Sequence, residues 1–245
     1  MTGARLDRVT MHYRKIDRPA VDNLSLEVAP GEFMVIMGES GTGKTTLLRL
    51  IAGLEKASEG DIYLGEEWMN DTPVGRRPVQ LIFQTLALWP HLKVIDERGY
   101  SNLRFPLKIR MFSPAQIMDR VRGVANRVGL HPSLYGRKPE ELSGGERQRV
   151  ALARAMVTES KIFLMDEPLS SLDPIARPKM RDEIRRLHDE LGATTLYVTH
   201  NVSDATTMAD RIAIMREGKV VQVASLDVLR SSPVEPYVTQ LLTSY

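Results

Sequence analysis

Three side chains in two short stretches could do phosphate chemistry. Asp166 and Glu167 stand together in "KIFLMDEP", where an apolar run ends. Lys44 sits in "GESGTGKT", which matches G-x-x-x-x-G-K-[ST] from Gly38 to Thr45. A polyphosphate needs several backbone N–H donors converging on it, and glycines let the chain curve that way without a Cβ clash. A helix N-terminus adds partial positive charge. Lys44 is placed to reach the β- and γ-phosphates and the Thr45 hydroxyl to ligate Mg²⁺. An ordinary glycine-rich turn is the plainer reading. It loses because the match lies between an apolar strand and an apolar helix, which is the context the motif requires. The expected nucleotide-binding set is Gly38, Glu39, Ser40, Gly41, Thr42, Gly43, Lys44, Thr45 and Thr46.

Carboxylates at the end of a buried strand fall at the C-terminal edge of the sheet, where open α/β sheets bind ligands. Asp166 would hold Mg²⁺, and Glu167 would polarise an attacking water as general base. A pair of helix-capping acids is the alternative, and the phosphate loop upstream weighs against it.

Other polar residues carry weaker signals. Gln84 ends the apolar run "LIFQ" and could bind metal or orient water, although a strand-end Gln is usually a surface residue. His200 follows the strand "TTLYVT" and could contact the γ-phosphate, yet it is one of five histidines. Tyr13, at the end of the first strand, could stack on a base or simply pack in the core. "LSGGERQRV" reads as a second glycine-rich turn opening a helix, but without a lysine. Ser143, Gly144 and Gly145 could form an anion site there, or Ser143 could simply cap the helix. Asp173-Pro174 reads as an N-cap and N1 pair, with Pro178 moving the regular helix start toward itself.

The elements that must position these groups alternate between strand and helix. "LSLEV" puts Leu24, Leu26 and Val28 on one strand face, and "FMVIM" is a strand buried on both faces. Leu47, Ile51 and Leu54 mark the helix after the loop. "DIYLG" is a short strand. Ile117, Val121, Val124 and Val128 form one helical stripe, and Val150, Ala153 and Val157 another. "KIFLM", "TTLYVT", "RIAIM" and "KVVQVAS" are further strands. Met180, Ile184, Leu187 and Leu191 line a helix between the first two of them. The pattern predicts an α/β fold with a largely parallel core sheet.

Composition narrows the classes. The 245 residues carry 33 Lys+Arg against 31 Asp+Glu, a net charge of +2, which argues against a nucleic-acid partner. Cys is 0, so thiol chemistry is excluded. No stretch reaches the ~20 apolar residues of a membrane span, and the N-terminus has no apolar signal core. Work at a membrane would need a partner chain to hold this one there.

Together these motifs resemble the nucleotide-binding subunits of ATP-binding cassette (ABC) transporters. "GESGTGKT" is similar to Walker A, "KIFLMDEP" to Walker B with its catalytic glutamate, and Gln84 to the Q-loop. "LSGGERQRV" is similar to the signature motif, "SSLD" to the D-loop, His200 to the switch histidine and Tyr13 to the base-stacking aromatic. The resemblance implies a P-loop NTPase fold: a RecA-like core with an antiparallel β subdomain, about 1–88 and 156–225. A helical subdomain would span about 89–155 and a tail 226–245. It implies an ATPase using ATP and Mg²⁺ in a head-to-tail dimer, homodimeric or paired with another cassette. Each ATP would lie between one subunit's Walker A loop and the other's Ser143–Gly145, with Asp173 at the interface. Expected partners are transmembrane permease subunits at the cytoplasmic face of the membrane, and an extracytoplasmic solute-binding protein if the direction is import.

"LALWPHLKV" points to importer-type subunits, and the long C-terminal regulatory domain of many sugar-importer relatives is not expected. Val94–Leu107 is several residues longer than the usual spacing, and Asn201 stands where aspartate is common. A non-transport ABC ATPase in repair, chromosome structure or translation is the alternative, but it usually has coiled-coil insertions or two cassettes. A guanine-specific enzyme would carry [NT]-K-x-D. The one Lys-x-Asp, Lys15-Ile16-Asp17, is preceded by Arg14.

Overall fold

A computed structural model describes residues 2–14 and 17–243, so Lys15 and Ile16 of the Lys-x-Asp triplet lie outside the described residues. In chain order the elements begin with β1 (Ala4–Met11), β2 (Val21–Val28), β3 (Phe33–Met37), α1 (Lys44–Ala52), β4 (Glu59–Leu64), β5 (Glu67–Trp68) and β6 (Val79–Ile82). Then come α2 (Phe105–Ile109), α3 (Pro114–Arg127), α4 (Gly144–Met156), β7 (Ile162–Asp166) and α5 (Ala176–Leu191). β8 (Thr194–Val198), α6 (Val202–Met208), β9 (Arg211–Arg216), β10 (Lys219–Ala224), α7 (Leu226–Ser231) and α8 (Pro236–Thr243) complete the order.

The described residues of Met1–Leu81, Lys161–Glu167 and Leu191–Tyr245 pack as one compact unit. Its main sheet has the order β10-β9-β3-β8-β7-β6. β3 runs parallel to both β8 and β9, and β7 parallel to β8. All five residues of β3 are buried, as a strand covered on both faces must be. The register sets Ile36 and Asp166 each opposite Val198, so three parallel strands end at one edge. The Walker-like loop, Glu167 and His200 all follow that edge directly. A second sheet, β2-β1-β4-β5, is antiparallel. Leu24, Leu26 and Val28 point from β2 into the same apolar core as Leu47, Ile51 and Leu164.

Ile82–Ser160 with Pro168–Glu190 forms the other unit and holds α2, α3, α4 and nearly all of α5. Ile117 and Val121 are buried on α3, and Val150 and Ala153 on α4. The stretch 83–104 is irregular but tied down by Asn102. Its side chain accepts from the Trp89 N–H at 2.9 Å and donates to the Leu92 carbonyl at 2.9 Å.

Four local expectations are corrected. α1 stops at Ala52 because Gly53 takes the left-handed cap (φ 78°), so Leu54 lies beyond the helix and is exposed. β1 ends at Met11, leaving Tyr13 two residues past the strand. Gln84 lies in an exposed turn rather than at the end of β6. α5 begins at Ala176, ahead of Pro178, because Asp173 accepts hydrogen bonds from Ile175 N (3.0 Å) and Ala176 N (2.8 Å). Pro178 sits in the first turn, where its missing N–H removes no intrahelical bond.

Candidate functional site

The phosphate-loop motif wraps the start of α1. Gly43 is the N-cap, at φ 98°, and no side chain caps the helix. A Cβ on Gly43 would lie 2.1 Å from the Ala20 carbonyl oxygen, so the loop's own neighbours demand glycine there. The first turn contains no acidic residue. Its free N–H groups and the positive end of the helix are therefore available to an anion.

Lys44 is buried and folds back over the loop. Its Nζ donates to the Gly38 and Glu39 carbonyls at 2.8 and 2.7 Å. Burial pulls its pKa below the usual lysine value, opposed by the charges of Glu167, Asp166 and Glu39. The Thr42 hydroxyl also donates to the Glu39 carbonyl, at 2.9 Å.

At the sheet edge the Thr45 hydroxyl donates to Asp166 Oδ1 at 3.1 Å. Burial raises the Asp166 pKa, with the neighbouring Glu167 adding to it and the Thr45 hydrogen bond opposing. A half-buried carboxylate beside a hydroxyl is a hard-oxygen pair suited to Mg²⁺, which typically takes one or two protein oxygens plus substrate phosphates. Glu167 sits in the left-handed region at φ 45°, which for a non-glycine residue costs on the order of 1 kcal/mol. Its N–H donates to the Val198 carbonyl at 3.0 Å, fixing the turn. That turn brings Glu167 Oε2 to 3.2 Å from His200 Nδ1. Asn201 accepts from the Asp204 N–H at 3.2 Å and caps α6 directly behind His200, so the amide serves there as a carboxylate would.

Tyr13, Ser40, Gly41, Gly43, Lys44, Thr45, Thr46 and Glu167 line one cavity of about 400 Å³. The Tyr13 hydroxyl lies 3.3 Å from Thr46 Oγ1. Gly38, Glu39 and Thr42 support the loop from behind: a Cβ on Gly38 would meet the Met215 carbonyl at 2.3 Å. Asp166 and His200 join through Thr45 and Glu167. Arg18, Ala20, Glu217 and Gly218 also line the cavity and escaped the sequence reading. Gly218 N donates to the Thr42 carbonyl at 3.1 Å, a long-range contact that no local pattern announces.

The remaining expected residues lie in the other unit. Ser143 caps α4 through a capping box: its Oγ accepts from Glu146 N at 3.3 Å, and Glu146 Oε2 accepts from Ser143 N at 2.7 Å. A Cβ on Gly144 would meet Leu172 at 3.3 Å, whereas Gly145 faces open space. Asp173 is exposed and caps α5, and Gln84 is exposed in its turn.

Parallel strands ending in a phosphate loop, with an acidic strand end beside it, define the P-loop nucleoside-triphosphatase architecture. Residues 21–170 match the family described as ABC transporter, and the chain belongs to that family. It is 46% identical to the trehalose/maltose import ATP-binding protein MalK of Thermococcus litoralis, over 100% of this chain and 65% of that protein. To the oligosaccharides import ATP-binding protein MsmX of Bacillus subtilis it is 45% identical, over 92% and 60%. The chain thus spans somewhat less than two thirds of the length of these curated relatives. Among solved structures it is similar to the ATP-binding cassette MJ0796 in a dimeric post-hydrolysis state bound to ADP and Pi. That match has a TM-score of 0.79 and 30% identity, over 91% of this chain and 98% of that one.

Proposed function

We propose that this protein is the ATP-hydrolysing subunit of an ABC importer, using Mg-ATP at a head-to-tail dimer interface. One observation carries the reading. The uncapped start of α1, the Thr45–Asp166 pair and the Glu167–His200 pair meet at a single sheet edge. The import-protein names of the relatives support the direction of transport. Partner permease subunits hold the protein at the cytoplasmic face of the membrane and, with a solute receptor, set the solute. The whole chain acts as one cassette, with the helical subdomain at about 89–155.

In the proposed mechanism the N–H groups of Ser40–Thr46 and Lys44 bind the polyphosphate, and Tyr13 stacks on the base. Lys44 leaves the Gly38 and Glu39 carbonyls to do so and carries its charge to the β- and γ-phosphates. Thr45 and Asp166 would hold Mg²⁺, with Gln84 as a further ligand or water-orienting group; when bound, the ion neutralises phosphate charge. Glu167 takes the proton of the attacking water, and His200 orients Glu167 and senses the γ-phosphate. Ser143, Gly144, Gly145 and Asp173 serve the partner's nucleotide, so hydrolysis requires dimer closure.

Glu167→Gln tests this. ATP hydrolysis is expected to fall by about 10²–10⁴-fold with ATP binding retained, and size-exclusion chromatography should find an ATP-dependent dimer. Hydrolysis close to the wild-type rate would remove Glu167 as the base.

A further inference from the structure

The C-terminal helix reaches the phosphate loop through one hydroxyl. Tyr237 lies in the first turn of α8, which is anchored by the buried Val238 and Leu241. Its hydroxyl donates to the Met215 carbonyl at 3.3 Å and accepts from the Glu39 N–H at 3.3 Å. Met215 is fully buried in β9, and its carbonyl is also the atom against which Gly38 packs. The Arg216 guanidinium lies 5.0 Å from the centre of the Tyr237 ring and is itself paired with Glu235 at 3.6 Å.

The Gly38–Glu39 peptide is the pivot. Its N–H, on Glu39, donates to Tyr237, and its carbonyl, on Gly38, accepts from Lys44 Nζ at 2.8 Å. One peptide unit is thereby held at both ends, by the tail through its N–H and by the loop's cation through its carbonyl. Hydrogen bonds in series polarise one another, and orienting the peptide sets where Lys44 waits before the phosphates arrive. A phenylalanine would keep the ring contacts, so only the hydroxyl makes this link.

We infer that Tyr237 is a positioning residue for nucleotide binding, acting through the Gly38–Glu39 peptide on Lys44 and the phosphate loop. The inference rests on the nucleotide reading of the cavity. Both hydrogen bonds, at 3.3 Å, are longer than the usual range, so the effect is modest.

Tyr237→Phe is the test, read in two ways. In the nucleotide-free protein, hydrogen exchange at the Glu39 amide should quicken several-fold. With a non-hydrolysable ATP analogue and Mg²⁺, affinity should weaken about five-fold, raising KM for ATP while kcat and the melting temperature stay near wild type. Unchanged exchange and affinity would overturn the inference, as would an affinity loss that merely follows a lowered melting temperature. Failure of the wild-type protein to bind the analogue would instead break the nucleotide reading. The exchange measurement would then still decide whether the tail holds the loop.

Discussion

Two helices open on the same kind of glycine-bearing turn and finish their N-termini in opposite ways. α1 starts at Gly43 with no side-chain cap, no acid in its first turn and a lysine as its first residue. α4 starts at Ser143 with a full capping box and Glu146 in its first turn. The first leaves its donors for an anion, while the second already uses part of its own set. The glycines differ as well. Gly38 and Gly43 are pressed against backbone oxygens of their own unit, but a Cβ on Gly145 would meet nothing within 4 Å beyond its own helix backbone and chain neighbours. The phosphate loop needs glycine to build itself. At Gly145 the chain's own packing makes no such demand, which supports the proposal that this turn is shaped for something outside the chain.

The largest expected effect separates those glycines. Gly43→Ala puts a methyl group into the Ala20 carbonyl at a positive φ, and should cost about 3 kcal/mol as well as nucleotide binding. Gly145→Ala adds a better helix former in open space and should leave stability unchanged or raise it by about 0.5 kcal/mol. On the proposed function, ATP hydrolysis should nonetheless fall about ten-fold or more, because a close approach in the proposed dimer is spoiled. Denaturant unfolding of both variants, beside their hydrolysis rates, checks this. A Gly145→Ala variant as unstable as Gly43→Ala would break the contrast.

A smaller effect concerns the caps. Ser143→Ala removes the oxygen that accepts from Glu146 N and should destabilise the protein by about 1 kcal/mol. Thr45→Ala, at the corresponding end of α1, removes no cap and should change stability less, although it strips an oxygen from the proposed metal site. Equal losses in thermal unfolding would mean that the two termini are finished alike.

Much of the first region was legible in the sequence because it is written locally. An apolar strand, a glycine-bearing octet and an apolar helix are contiguous, and the continuous apolar runs of "FMVIM" and "KIFLM" identify the buried strands that converge on one edge. What escaped was set by contacts across long stretches of chain. Tyr237 touches Glu39, and Gly218 touches Thr42, with no spacing rule to announce either. Ends of elements were also hard to read. Gly53 cut α1 short of Leu54, and the Asp173 cap started α5 ahead of Pro178. For Ser143 the residues alone allowed a cap or an anion site. The capping box establishes the first without deciding the second, because the hydroxyl that accepts from Glu146 N is itself exposed.

The finest test uses two carboxylates shifted in opposite directions. Burial raises Asp166 above its ordinary 3.8, whereas the Ser143 N–H holds Glu146 below its ordinary 4.5. Folding therefore favours the protonated form of Asp166. Its contribution to stability is present below 3.8 and is lost as pH rises through the raised folded value. Glu146 works the other way: its contribution is present above 4.5 and is lost as pH falls through the lowered folded value. Asp166→Asn should thus be more stable than wild type at neutral pH, with the difference closing in acid. Glu146→Gln should be less stable at neutral pH by only about 0.3 kcal/mol, since the amide oxygen can still accept from Ser143, and that gap should also close in acid. Denaturation midpoints from about pH 3 to 7 would measure both. If the two variants shift stability in the same direction at neutral pH, the two helix starts share one electrostatic environment. Opposite signs would mean that Asp166 is held charged at a cost, which a cation at the proposed metal site would relieve, while the carboxylate at α4 is already satisfied by its own helix.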